Sequence, residues 1–460
     1  MAALALDQSG AVAEGMGQGM TDTTDSGAPD RGNRELLMLP YYYPPADHAG
    51  TRRMTAFARY LPEVGYRPII LTTNIRGSTP SDAAQYIFRA GEISSLLARP
   101  YRALRLRRVP QQQRGNVAAI AADSWVSRML MACLIPDLHV TWYPLAVRQG
   151  LRLLRSRPIK LLFSSSPPAT SHLVALRLKR LTGLPWVADF RDGWMFEPPN
   201  PVPFNSRIRT RIEYALERQV VLSADRIVTV NQTIADDLAR RYPATAGRIE
   251  VITNGYDPAD VAQMPTRVAR SARMRLVYTG SLALSRTGTS ISGLLAALRG
   301  LREAQPALAD EIELVFVGKL TDAEQRRIAE TGLGDQVSMT GRLSHQDALR
   351  YQAEADALLL ITVSGDSSVT TSKLFEYLAS GRPILGLTGR SPAAEIIRDL
   401  DAGVVVDPDD VPGIRAALGD LHRRWRADDL PTRHDPRVTR FSRPHLTADL
   451  ARCFDELLGG

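Results

Sequence analysis

Residues 361–387, ITVSGDSSVTTSKLFEYLASGRPILGL, read as an apolar strand, a Ser/Thr/Gly loop, a short helix and a second strand. This order opens a helix N-terminus at the end of a strand, where backbone amides and the helix dipole attract anions. Thr370, Thr371 and Ser372 are of the types that cap helices and offer hydroxyls, and Lys373 adds a positive charge at the same pole. Gly381 ends the helix and Pro383 prevents its continuation. A capping box would need Ser or Thr three residues before Glu376, and that position is Lys373, so Glu376 has no obvious capping task; an ordinary βαβ unit with Glu376 capping the helix start is the alternative. Its carboxylate only accepts hydrogen bonds and suits a pair of vicinal hydroxyls. A diphosphate cradle beside a diol acceptor forms part of a site for a nucleotide sugar.

The chain has 460 residues, more than one core usually organises, which implies two domains and a tail. Hydrophobic residues make up 44%, ordinary for a globular protein, and no window reaches the uninterrupted apolar length of a membrane span. Cys133 and Cys453 are the only cysteines, which excludes a disulfide framework and a cysteine-rich zinc site and fits a reducing, cytoplasmic compartment. Residues 1–33 are small, polar and Gly-rich, the composition of a disordered tail.

The net charge of +8 is unevenly placed. Arg99, Arg102, Arg105, Arg107, Arg108 and Arg114 fall in a stretch without acids, followed by the weakly charged 116–137 containing Trp125, Met129 and Met131. A basic segment beside an apolar one suggests that 99–137 rests peripherally on an anionic membrane face; a core helix beside a solvated loop is the alternative. No RNP, KH or zinc-finger spacing appears, which sets nucleic acid aside.

Outward from the decisive stretch, strands alternate with helices, the pattern of parallel sheets with ligands at the carboxyl ends of the strands. ELLMLP (35–40), a loop with Gly50 at its bend, a helix over 51–65 and YRPIILTT (66–73) form a first unit. Further strands are expected within 159–194, at 226–230 and at 248–253, the last ending at the turn dipeptide Asn254-Gly255. Residues 263–274 read as a linker. Six more strand-like runs follow, at 275–279, 312–320, 337–344, 356–363, 383–389 and 402–410, and a final helix over 441–460 is placed to cross back. The boundaries are 1–33 for the tail, 34–265 plus 441–460 for the first domain, and 266–440 for the second.

The order of these motifs resembles glycosyltransferase family 4, over about residues 35–455. The resemblance implies the α/β GT-B fold, two facing Rossmann-like domains with the C-terminal helix crossing back. It also implies retaining, metal-independent transfer from a nucleoside diphosphate sugar, with no cofactor. The stretches 136–146, 164–172 and 186–194 resemble a bacterial branch that builds surface polysaccharides, which implies a glycan or lipid-linked acceptor at the inner membrane face. Carried over residue by residue, Arg286, six residues after Gly280, stands where the family places a cation on the departing diphosphate. Glu376 matches the glutamate that holds the ribose. Thr370, Thr371, Ser372 and Lys373 match the phosphate loop, and Gly341-Arg342 the nucleobase contact. Gly50, Gly280 and Ser281 complete the donor set. The family's other glutamate falls at Ser368, with Asp366 the nearest acid, and the usual basic neighbour of Gly280 is Ser281.

On the acceptor side, DFRDGW offers Asp189 or Asp192 to orient a hydroxyl, Arg191 to bind a pyrophosphate and Trp194 to stack on a sugar, with His48 in the first loop as a base. Here Asp189 is grouped with Arg286 as catalytic. An Arg191–Asp192 ion pair and a wall-forming Trp194 are the structural alternative. A nucleotide-sugar epimerase and a non-catalytic binding subunit are the rival readings, the latter motivated by Ser281 and Ser368.

Overall fold

The computed structural model describes residues 34–46, 49–74, 77, 86–93, 133–196, 206–265, 271–280, 282, 291–362, 368, 370–430, 432 and 434–459. His48, Ser281, Arg286, Asp366, the tail 1–33 and all but the end of 99–137 lie outside these residues.

The first sheet holds β1 (Arg34–Pro40), β2 (Tyr66–Thr73), β3 (Ile87–Ala90), β4 (Leu161–Ser166), β5 (Trp186–Phe190), β6 (Arg226–Thr229) and β7 (Ile249–Val251), in the order β3-β2-β1-β4-β5-β6-β7. The second holds β8 (Met274–Thr279), β9 (Ile312–Val317), β10 (Val337–Gly341), β11 (Ala357–Ile361), β12 (Ile384–Leu387) and β13 (Gly403–Val406), in the order β10-β9-β8-β11-β12-β13. β4, β5 and β11 are buried along their whole length, which is why they read as near-continuous apolar or small-residue runs. In each sheet the order reverses beside the first strand, between β1 and β4 and between β8 and β11, and α/β sheets bind ligands at such points. The edge strand β3 is absent from the sequence reading: its four residues, IFRA, are mostly half-buried and have no apolar run. β8 starts at Met274, inside the stretch expected to be linker.

The helices used below are α1 (Ala49–Tyr60), α2 (Thr170–Thr182), α3 (Arg207–Ser223), α4 (Gln232–Arg241), α5 (His345–Glu354), α6 (Ser372–Ser380) and α7 (Arg443–Gly459). Apolar clusters cover both faces of each sheet. The C-terminal α7 lies on the first domain, where Leu446, Leu450 and Phe454 share a cluster with Phe57 of α1 and Phe163 of β4. Phe454 is fully buried and meets Tyr66 and Phe163 edge-on, at centroid distances of 5.2 and 5.7 Å.

The chain crosses between the domains at two places that touch. Tyr256 bridges to Ser442, its N–H donates to the Phe441 carbonyl at 3.1 Å, and the Arg443 N–H donates to the Tyr256 carbonyl at 2.8 Å. This contact explains Gly255, because a Cβ there would lie 2.1 Å from the Phe441 oxygen.

Phe454→Ala should remove about 3–5 kcal/mol of unfolding free energy, since it empties a fully enclosed aromatic site. Urea denaturation monitored by tryptophan fluorescence measures it, and a loss under about 1 kcal/mol would mean that α7 is not part of the first domain's core.

Candidate functional site: the cleft between the sheets

At the carboxyl ends of β8, β9 and β10 stand Gly280, Gly318 and Gly341, with φ of 106°, 150° and 70°. A Cβ on Gly280 would fall 2.6 Å from the Lys373 Nζ, and one on Gly318 would fall 2.2 Å from the Gly280 oxygen. The strand ends therefore form a floor without side chains, and the Lys373 ammonium lies on it. Its Nζ donates to the Tyr278 hydroxyl at 2.7 Å and sits 4.3 Å from the ring centroid. Desolvation draws the Lys373 pKa down to about 8, with the Glu376 charge opposing.

Lys373 belongs to the first turn of α6, whose N-cap is Thr371. That N-cap makes no side-chain capping bond. The hydroxyls of both Thr370 and Thr371 are buried without a hydrogen-bond partner. Two such hydroxyls beside a helix N-terminus and an ammonium are what an incoming anion requires. The loop is held from across the cleft, as Asn231 Nδ2 donates to the Ser368 carbonyl at 2.7 Å and Asn254 Nδ2 to the Thr370 carbonyl at 3.3 Å. Glu376 is 14% exposed and joins the two domains. Its Oε1 accepts from Arg52 Nη1 of α1 and its Oε2 from Gln352 Nε2 of α5, both at 3.2 Å. Arg342, just past β10, is exposed.

On the first domain, Asp189 lies in a buried ion pair. It is fully buried, and Arg53 Nη2 donates to its Oδ1 at 2.9 Å and Arg53 Nε to its Oδ2 at 3.2 Å. Ser165 Oγ donates to Oδ2 as well, at 2.7 Å. The carboxylate expected to orient an acceptor hydroxyl is here turned to Arg53 and Ser165 and sealed from water. Arg53 further donates to the carbonyls of Ile252 and Thr253, at 2.9 and 2.6 Å, tying α1, β4, β5 and the Asn254 turn together.

Arg191 sits over Gly50, where a Cβ would lie 1.7 Å from its Nη1. Thus the absence of a side chain at Gly50 makes room for the Arg191 guanidinium. Arg191 Nε donates to Ser165 Oγ at 3.0 Å and Nη2 to the Pro167 carbonyl at 2.6 Å. Desolvation lowers its pKa, with Asp189 and Asp192 opposing. A cation beside the first turn of α1 is unfavourable against the helix dipole alone and becomes favourable with an anion between them. Asp192 is half-buried, and Trp194 packs partly buried against the first domain's core as a wall.

Sequence reasoning missed Arg52, Arg53 and Arg443. Arg443, at the start of α7, is 4% exposed with its Nη1 unpartnered. Desolvation draws its pKa down to about 9, reinforced by Arg53 and opposed by Glu376 and Asp257. The available signal was Arg52-Arg53 in the first turn of a helix, the wrong pole for cations unless acids from elsewhere meet them.

The profile of Glycosyltransferase Family 4 matches residues 50–260, and that of Glycosyl transferases group 1 matches residues 273–424. The chain belongs to the family 4-like glycosyltransferases. Among curated relatives of this glycosyltransferase, the D-inositol 3-phosphate glycosyltransferase of Salinispora tropica is 28% identical over 45% of each chain. The match thus spans less than half of that relative's length. The 2-deoxystreptamine glucosyltransferase of Streptomyces kanamyceticus is 25% identical over 65% of this chain and 80% of its own. Sucrose-phosphate synthase from Thermosynechococcus elongatus superposes with a TM-score of 0.59 at 16% identity, covering 93% of this chain and 100% of that one. Anabaena HepE in complex with UDP and glucose gives 0.56 at 13% identity, covering 92% and 100%. These structures share the GT-B fold.

Asp189→Asn should cost roughly 3–5 kcal/mol of stability, because it leaves the Arg53 guanidinium buried without its counter-charge. Chemical denaturation measures this. Full stability with lost turnover would instead return Asp189 to the chemistry.

Proposed function

We propose that the protein transfers a hexosyl group from a nucleoside diphosphate sugar to a glycan or lipid-linked acceptor, with retention and without metal. The observation that carries the reading is the Lys373 ammonium on the Gly280 floor beside the unpartnered Thr370 and Thr371 hydroxyls. In this reading the α6 amides, Ser372, Lys373 and Arg286 stabilise the diphosphate as its charge grows on departure, and Ser281 belongs to the same donor set. Glu376 exchanges Arg52 for the ribose hydroxyls, and Arg342 meets the base. A departing phosphate oxygen receives the proton of the incoming hydroxyl, so no side chain need act as nucleophile. Arg191 receives an anionic group of the acceptor with Asp192 and Trp194 nearby, and His48 serves as a base for the acceptor. Two relatives support parts of this: the Salinispora enzyme is named for a phosphate-bearing acceptor, and HepE was captured with UDP and glucose.

A thermal-shift screen of nucleoside diphosphates, UDP first, tests the donor site. A ligand at 100 times its Kd adds about 2.7 kcal/mol, a shift of a few degrees. Because Lys373 titrates near 8 in the free site, binding should be strong at pH 7 and weaken as pH rises above 8. Lys373→Met should weaken binding and flatten that profile, and Arg286→Ala should cut turnover on the order of 100-fold. No shift with any nucleotide would overturn the assignment of the donor site.

A further inference from the structure

Helix α3 is anchored in the core by Val220 and Val221 at its C-terminal end, but over its first three turns the pattern is reversed. There the inward face is polar: Arg209 pairs with Glu213 at 2.6 Å and donates to the carbonyls of Leu134 and Pro136, at 3.2 and 2.9 Å. Fully buried Glu217 pairs with Arg241 of α4 and accepts from the Met195 N–H at 3.1 Å and the Tyr242 hydroxyl at 2.7 Å. Its outward face carries the apolar residues, with Ile208 70%, Ile212 40% and Tyr214 44% exposed. Arg207, Arg211 and Arg218 are exposed among them, at helical spacings that put them on the same side. The acids of α3, Glu213 and Glu217, both point inward. Alongside runs α2, joined by Arg180 Nη2 donating to Gln219 Oε1 at 3.1 Å, and it exposes Arg177, Arg180 and Leu181 with no acid in its sequence.

We infer that the outward face of α3 docks on an anionic lipid bilayer, with Ile208 and Ile212 entering the headgroup layer and the flanking arginines meeting lipid phosphates. An apolar strip rimmed by charge of one sign fits a surface that is apolar beneath and negative above. A second copy on a two-fold axis would set Arg207, Arg211 and Arg218 against themselves. Among the described residues no helix is long and apolar enough to cross a membrane, so attachment here is peripheral. Since α3 follows β5, it starts at the carboxyl end of the sheet, and Ile208 and Ile212 stand on the cleft side of the domain. The proposal goes beyond the reading of the reaction and does not depend on it.

The test is flotation of the full chain with phosphatidylglycerol/phosphatidylcholine vesicles and with pure phosphatidylcholine vesicles, at low and high salt. Binding is expected on the anionic vesicles at low salt and should fall with salt. Arg207→Gln with Arg211→Gln should weaken it by roughly 30-fold, about a factor of five per arginine. Ile208→Ser with Ile212→Ser should weaken it roughly tenfold or more. All four positions are exposed, and an unchanged melting temperature establishes that the variants are folded. Wild-type flotation by both double variants would overturn the assignment to α3. Failure of the wild type to float would overturn it too, and a dimer dissociated by the isoleucine variant would then name a second copy as the occupant.

Discussion

The ion pair of Arg53 and Asp189 organises the first half of the cleft. Two charges taken fully out of water repay their desolvation only when nearly every hydrogen-bonding position is used. Here the guanidinium reaches both carboxylate oxygens and two main-chain carbonyls, and the carboxylate takes a third hydrogen bond from Ser165. The network fixes α1 against the ends of β4 and β5 and holds the turn from which Asn254 reaches the Thr370 carbonyl. The geometry of the anion loop on the second domain is thus tied to a buried pair on the first.

The two halves of the cleft solve the same problem by different means. On the second domain, glycines at three neighbouring strand ends remove side chains from the floor, and a lysine from α6 fills the space. On the first domain, a single glycine makes room for the Arg191 guanidinium at the first turn of α1. Each half therefore presents a partly desolvated cation beside a helix N-terminus, an arrangement that is costly alone and eased by a bound anion.

Most of the architecture was legible in the sequence because parallel strands buried on both faces carry long runs of small and apolar residues. β3 escaped because a four-residue edge strand has no such run, and α3 because over its first turns Arg209 and Glu217 face inward while Ile208 and Ile212 face outward, contrary to the rule by which helices are read. In the site, α6 was legible from its Thr-Thr-Ser-Lys start and its Gly-Arg-Pro end. The fate of Asp189 was not, since an acid at a strand's end reads alike whether it faces solvent or an arginine more than a hundred residues earlier. Gly50 and Gly255 were recognised as bends, while their close neighbours, Arg191 and the Phe441 carbonyl, come from distant parts of the chain.

The position of α7 has a consequence for biogenesis. Leu446, Leu450, Ala451, Cys453 and Phe454 finish a core whose other buried members lie between Leu36 and Ile252, so the part of that face not covered by α1 stays open while the second domain is being made. At translation rates of about 5–20 residues per second, the roughly 200 intervening residues correspond to on the order of ten to forty seconds. During that interval the nascent chain presents an open apolar surface, and it is then that a chaperone has most to protect.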